Sequence, residues 1–368
     1  MTRAEIDLGA LRHNVRVLRQ LAGEADLVGV VKADAYGHGA ISCARALVDE
    51  GIEWLAVATI GEGEALRAAG VGGAIVVFAA PLPHQLDAYA RHDLRVTVSS
   101  EAVAQAVIDS GLSLVAHVKV DTGMHRLGLA PDAVAATVRA LQAAPDVAVE
   151  GLWTHLATAD AAEASFVTEQ VGRFRRALDA LGPDVPPIVH VANGPALVRG
   201  LASDGLGPRR RLVRAGGVLY GLASSVPLAR DVRRHGLRPV MRLASRVVHL
   251  QTVAPGESVS YGRTWTAQRP TRVATVATGY ADGLARAYAG PVGIGERRAP
   301  VIGRVCMDML LVDLGDPDGP GASVQAGDEA VLFGPGGPSA EQAADAAGTI
   351  AYELTSGLTA RVPRVGTA

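Results

Sequence analysis

The sequence predicts an α/β protein in two parts: an N-terminal (β/α)8 barrel of the TIM-like kind over residues 1–235, then a mostly antiparallel β domain over residues 236–368. Two observations carry this. Through about the first 220 residues, short runs rich in Val, Ile and Leu alternate with stretches of helical periodicity, as a parallel sheet with crossover helices requires. Beyond Arg234 strand-like runs follow one another across Gly, Pro and Asp turns, which is the pattern of an antiparallel unit. A chain of 368 residues has room for both.

The first part contains eight strand candidates: Leu27–Ala33, Trp54–Thr59, Ala74–Ala79, Arg95–Ser100, Leu114–Asp121, Val147–Leu156, Pro187–Asn193 and Leu212–Gly221. Eight β/α units match a closed barrel, with a doubly wound open sheet as the alternative. Between the strands lie amphipathic stretches such as Ala164–Leu181 and Pro131–Ala143, the latter with Pro131 at a first helical position where no N–H is needed. In the second part Val240–Val253, Glu257–Gly262, Thr271–Thr278, Ala299–Leu314 and Ala330–Gly334 read as strands, and Ser339–Ala347 as the one short helix.

Composition narrows the function. The 35 basic residues nearly balance the 37 acidic ones, which leaves no electrostatic footprint for nucleic acid or an anionic membrane and favours a small-molecule ligand. Cys43 and Cys306 stand far apart, so neither a disulfide framework nor a zinc site is expected. Charge in the opening residues, where a signal peptide needs an apolar run, points to a cytoplasmic protein. Ala68–Leu86, the longest uncharged stretch, reads as a buried strand with its turns rather than a membrane span.

Of all the basic residues only Lys32 and Lys119 are lysine. Where arginine replaces lysine wherever charge alone matters, the surviving lysines mark places that need an ammonium able to lose its proton. Lys32 follows the apolar run Leu27–Val31. At the carboxyl end of a barrel strand, partial desolvation lowers a lysine's pKa and suits it to Schiff-base chemistry. By the same rule Arg126 follows the fifth strand, His155 ends the sixth, Asn193 ends the seventh and Arg214 lies in the eighth. Gly194 and Gly216 fall where such barrels bind phosphate through backbone amides. A lysine and a phosphate cradle in one barrel mouth point to pyridoxal 5′-phosphate, whose aldehyde needs an amine.

The stretch Val31-Lys32-Ala33-Asp34-Ala35-Tyr36-Gly37-His38-Gly39 closely resembles the cofactor-attachment signature of the alanine racemase family. Further resemblances follow in order: Asp121 to Gly128, Val259-Ser260-Tyr261-Gly262, Gly279-Tyr280-Ala281-Asp282-Gly283, Gly303 to Asp308, and Arg361-Val362-Pro363-Arg364. The resemblance implies a racemase of alanine, homodimeric with shared active sites, supplying D-alanine for the bacterial cell wall. Alternatives are a racemase of serine or another small amino acid, a related decarboxylase, or a non-catalytic pyridoxal-phosphate carrier.

The resemblance also implies roles. Lys32 is the cofactor-attachment lysine and one catalytic base; Tyr261, from the partner subunit, is the opposite base. Tyr36, Tyr352 and the amides near Gly194, Gly216 and Gly217 hold phosphate, with Asn193 beside them. Arg126 bonds the cofactor's phenolic oxygen and orients substrate carboxylate, assisted by Met307, while Tyr280 lines the entrance. Lys119 matches a lysine carbamylated in many members, Arg214 faces the pyridine nitrogen, and His155, His190 and Asp308 support the site. Racemisation takes the Cα proton from one face and returns it to the other, so two bases are the economical solution. Gly194 stands where the family usually has serine, so a hydroxyl restored there is expected to regain one phosphate contact.

Overall fold

In the computed structural model, which describes residues 2–201, 206 and 209–367, eight parallel strands close into a barrel. The chain enters by β1 (Arg3–Asp7), then builds the barrel from β2 (Asp26–Val30), β3 (Trp54–Val57), β4 (Ala74–Val77), β5 (Leu94–Val98), β6 (Leu114–Lys119), β7 (Val147–Trp153), β8 (Ile188–His190) and β9 (Arg210–Ala215). Strand β9 closes the ring on β2, with Asp26–Gly29 opposite Leu212–Ala215. Each candidate strand is present in order. The barrel's apolar filling includes Val28, Val30, Trp54, Ala56, Val76, Ile188 and Leu212. Covering helices start on side-chain caps that occupy otherwise unpaired amides: Asp7, Thr59, Ser100, Asn193 and Ser225 each accept a backbone N–H of the following turn.

The second part is built from β10 (Met241–Val253), β11 (Ser258–Val259), β12 (Trp265–Thr266), β13 (Thr271–Val276), β14 (Pro291–Ile294), β15 (Arg297–Ile302), β16 (Leu310–Gly315), β17 (Glu329–Phe333) and β18 (Arg364–Thr367). The main sheet runs β13-β16-β15-β14-β17-β10-β1-β18 and is antiparallel except where β18 lies parallel to β1. The barrel-plus-sheet expectation therefore holds, and the chain's first strand belongs to the second sheet. Arg3, Glu5, Arg242 and Glu329 form an ion-pair network across β1, β10 and β17 at that junction.

Four details differ from the sequence reading. Pro131 does not begin a helix: it lies in a turn closed by Ala133 N–H on Ala130 O, and the helix runs Val134–Ala143. Ala299–Leu314 is two strands, broken at Gly303, whose φ of +68° turns the chain. Glu257–Gly262 contains only the two-residue β11 before the backbone turns at Ser260. A second short helix, Ala351–Ser356, follows Ala340–Ala346.

Candidate active site

Beyond β2 the chain enters the turn Lys32–Gly37, in which Ala33, Asp34, Ala35 and Tyr36 have φ between 50° and 56°. Such a left-handed turn costs an L-residue about 1–2 kcal/mol, so neighbours must hold it. Glu62 Oε1 accepts the Ala33 N–H (2.7 Å), Asp34 Oδ1 accepts the Ala40 N–H (2.7 Å), and Arg364 Nε–H donates to Gly37 O (2.9 Å). His38 Nδ1–H donates to both Ala35 O and Tyr36 O at 2.9 Å. Gly37 has φ +83°, and a Cβ there would strike the Thr355 carbonyl, so glycine is required. Lys32, half-buried, has its ammonium pushed below the ordinary range by burial and by Arg126, with Glu62 opposing.

Arg214, at the end of β9, is 3% exposed. Its terminal nitrogens donate to His190 O (2.7 Å), Thr154 O (2.6 Å) and Val191 O (3.0 Å), and one lies 3.5 Å from His155 Nδ1. The Nε–H, also buried, has no partner. Burial brings the guanidinium down to about 9, which leaves it charged at neutral pH. Burial first, and then Arg214, holds His155 and His190 neutral.

Gly216 and Gly217 meet two phenols, with Gly194 beside Gly216. Tyr36 and Tyr352 pack edge to face with centroids 5.4 Å apart. A Cβ on Gly216 would stand 2.5 Å from Tyr36 Oη, and one on Gly217 would run into the Tyr352 ring, so the glycines let the rings reach the backbone. Burial raises Tyr36 to about 12, the Gly217 amide partly offsetting this. Tyr352 Oη is buried and makes no hydrogen bond within the fold, with Ser224, which donates to Asp160, close enough to offset part of the rise that burial causes. The first amides of the turns Gly194–Val198 and Gly217–Tyr220 have no intrahelical acceptor, and Asn193 caps the former by accepting the Ala196 N–H. A free phenol, helix-start amides and a lone buried guanidinium N–H are the donors that a phosphate and a ring nitrogen need. These residues, with Lys32, fit pyridoxal 5′-phosphate.

Gly194 corrects one expectation. A Cβ there would lie 2.6 Å from Val218 Cγ2, and Val218 is fully buried and stiff at χ1. A serine cannot simply be restored.

Lys119 ends β6, 2% exposed, with Nζ 4.5 Å from the centre of the Trp153 ring. Burial, Arg126 and Arg214 bring it down to about 8. Arg126 sits exposed on the following loop, which Asp121 shapes by accepting the Gly123 and His125 N–H groups. The Arg126 charge reaches Lys32, Lys119 and His155 alike.

The remaining candidates gather in the second domain. Tyr280 N–H donates to Cys306 O and Ala281 N–H to Met307 O, each at 3.0 Å, while Arg361 binds Asp308 (2.8 Å). Ser260 Oγ donates to Arg304 O (2.5 Å) beside Tyr261. Tyr261 is 65% exposed and Met307 51%. Among the described residues no hydrogen bond, ion pair or ring contact joins Tyr261, Tyr280 or Met307 to Lys32, Arg214 or His155 of the same chain. Sequence reasoning missed Glu62, Trp153 and the pair His117 and Glu150, which extend from the predicted His190 through contacts of 3.0 Å each. Only Glu62 left a signal, in the capping spacing Thr59-x-x-Glu62.

A closed barrel whose mouth gathers a lysine, an uncommitted guanidinium N–H and a glycine-tyrosine cradle defines a pyridoxal-phosphate enzyme of the barrel type. The sequence matches the family models "Alanine racemase, N-terminal domain" over residues 6–224 and "Alanine racemase, C-terminal domain" over residues 240–366. It is 39% identical to the alanine racemase of Halothermothrix orenii, over 99% of this chain and 96% of that one, and 41% identical to that of Beutenbergia cavernae, over 99% and 97%. Solved structures of similar fold include alanine racemase from E. faecalis (TM-score 0.91, 32% identity, covering 100% of this chain and 98% of that one) and from Streptomyces coelicolor A3(2) (0.88, 40%, 100% and 98%). The chain belongs to the alanine racemase family, which is pyridoxal-phosphate dependent.

Proposed function

We propose that the protein interconverts L-alanine and D-alanine on pyridoxal phosphate by a two-base mechanism, as a homodimer whose two sites are each completed by the other subunit. The observation that carries this reading is Arg214: four of its five N–H groups belong to terminal nitrogens bound within the protein, and the remaining Nε–H is buried and free for a ring nitrogen. When bound, pyridoxal phosphate supplies an aldehyde for attachment and a ring that draws electron density from the substrate's Cα.

The chain's own residues do the rest. Lys32 is the attachment point and, with its pKa lowered, moves the Cα proton at one face. The partner subunit's Tyr261 does so at the other; its exposure in one chain suits a side chain that completes a neighbour's site. Arg126 takes the substrate carboxylate, with Met307 assisting, Tyr280 lining the entrance and Asp308 held by Arg361. Tyr36, Tyr352, Asn193, Gly194, Gly216 and Gly217 surround the phosphate. A charged Arg214 keeps the ring nitrogen unprotonated, and His155 and His190 support it as neutral imidazoles. Lys119, its ammonium brought down to about 8 and so more readily deprotonated than an ordinary lysine, is the anion-forming support of Arg126.

We place the division between the two domains at about residue 235, with the protein in the cytoplasm making D-alanine for peptidoglycan; both cysteines are free, which suits a reducing compartment. No helix among the described residues is long and apolar enough to cross a membrane. Chiral analysis of purified protein incubated with L-alanine, L-serine and other small amino acids tests the reading. Alanine is expected to approach an equal mixture of enantiomers fastest; turnover of serine alone would overturn it.

A further inference from the structure

We infer that Glu62 is a positioning residue for the Lys32 base, an inference that rests on the racemase reading for Lys32. Glu62 lies at the start of the helix Ile60–Ala68, where a carboxylate ordinarily closes a capping box with Thr59. Here it does more. Oε2 accepts the N–H groups of Ala58 (2.7 Å) and Thr59 (3.1 Å), just beyond the end of β3, while Oε1 reaches across to the Ala33 N–H (2.7 Å). The Ala33 amide belongs to the peptide unit that leaves Lys32, and Ala33 is the first of the four left-handed residues. One carboxylate therefore ties the end of the neighbouring barrel strand to the backbone of the attachment lysine.

Two physical arguments make this more than a cap. The left-handed turn is unfavourable in all four residues, and the contact with Glu62 acts at its first, where release would let Lys32 turn with the peptide. The charged groups acting on Lys32 are Arg126, Lys119 and Glu62, with His155 neutral beside them, and Glu62 is the only anion among them. Its charge favours the ammonium against two cations, while its Oε1 holds the backbone that leaves Lys32. Glutamine has one acceptor oxygen where glutamate has two, and its NH₂ would face a backbone N–H. Glu62→Gln therefore loses one of the two anchorages and the charge, with little change in volume.

The test uses the small number of amines in the chain. With Lys32 and Lys119 the only lysines, acylation of the cofactor-stripped full chain, followed by peptide mass spectrometry, reads each of them separately as a function of pH. In Glu62→Gln the Lys32 acylation profile is expected to shift to lower pH while that of Lys119 stays. In the loaded enzyme kcat should fall about tenfold or more with KM for alanine changed far less, as for lost orientation of a catalytic group. Glu62→Asp should recover part of both. Ser100→Ala removes an equivalent cap two β/α units away and is the control for a structural effect; it should leave both readouts unchanged. If Glu62→Gln matches wild type in Lys32 labelling and kcat, or if Ser100→Ala reproduces its changes, the inference is overturned. Absence of racemase activity in wild type, with the labelling shift intact, would overturn the functional reading and leave the positioning role standing.

Discussion

Val218 occupies the space that a side chain at Gly194 would need: its Cγ2 lies 2.6 Å from the position of a Cβ on residue 194. The two residues face each other from the turns Gly194–Val198 and Gly217–Tyr220, which the proposed function assigns to the phosphate. Gly194→Ser should therefore lower stability by about 1–3 kcal/mol through overpacking and loosen cofactor retention during dialysis. Val218→Ala vacates the space, so the double variant should be more stable than the two single losses summed, by about 0.5–3 kcal/mol. Thermal unfolding of all four proteins measures this; strict additivity would show that the pair is not coupled.

Stability should fall steeply in mild acid. His38 and His190 are buried and His155 half-buried, all with pKa values lowered first by desolvation, His38 to about 4. Each stays neutral in the fold while the unfolded chain takes up protons near pH 6.5, so stability is full above that pH and declines below it. For His38 the decline runs from 6.5 down to about 4 and amounts to about 3 kcal/mol. His38→Asn keeps an N–H for the Ala35 and Tyr36 carbonyls but cannot titrate. Its urea-unfolding free energy should depend on pH with one proton fewer in that window, and an unchanged slope would show that His38 is protonated in the fold.

Arg214→Leu should destabilise the protein by about 3–5 kcal/mol, because the carbonyls of Thr154, His190 and Val191 lose a buried charged donor together. Arg214→Lys keeps the charge but gathers its three donors on one nitrogen, so nothing replaces Nε–H. That variant should fold, with an altered visible spectrum of the bound cofactor. A wild-type spectrum would remove Arg214 from the ring nitrogen.

How far the sequence showed all this depended on whether the signal was local. The barrel strands were legible because each is a short buried run, β-rich and closed by turn or cap residues. Strand β1 was not: Arg3–Asp7 alternates only two buried side chains with charged ones and finds its partners more than 230 residues away in β10 and β18. The break inside Ala299–Leu314 was hidden because Val301-Ile302 precede Gly303 and Val305-Cys306-Met307 resume the apolar run after Arg304. Among site residues, Lys32 and Arg214 follow from strand-end logic. Glu62 shows only its local cap in sequence, since its contact with Ala33 depends on β2 lying beside β3.

Lys119 should prove reactive toward carbon dioxide. An amine brought down to about 8 is roughly a tenth neutral at pH 7, against less than about a thousandth for an ordinary lysine. Carbon-13 bicarbonate should give a carbamate signal that Lys119→Ala lacks. That variant should lose activity about tenfold or more and regain part of it in chloride or acetate, which fill the anion position beside Arg126. Wild-type kinetics for Lys119→Ala would reduce the lysine to a packing role over Trp153.

The last expectation separates shared from self-contained sites. If Lys32 of one subunit works with Tyr261 of the partner subunit, Lys32→Ala and Tyr261→Phe homodimers should each be nearly inactive, because every site lacks one base. When subunits exchange, a heterodimer has one site lacking both bases and one site with both, so each heterodimer should reach about half of wild-type activity. Random exchange of an equal mixture makes about half of all dimers heterodimers, and the mixture should recover about a quarter of wild-type activity. Were both bases drawn from one chain, each site in every dimer would retain a defect and mixing would restore nothing. Exchange must be shown independently, by mass tags on the two variants. Demonstrated exchange without recovered activity would reject the shared site even with alanine racemisation established.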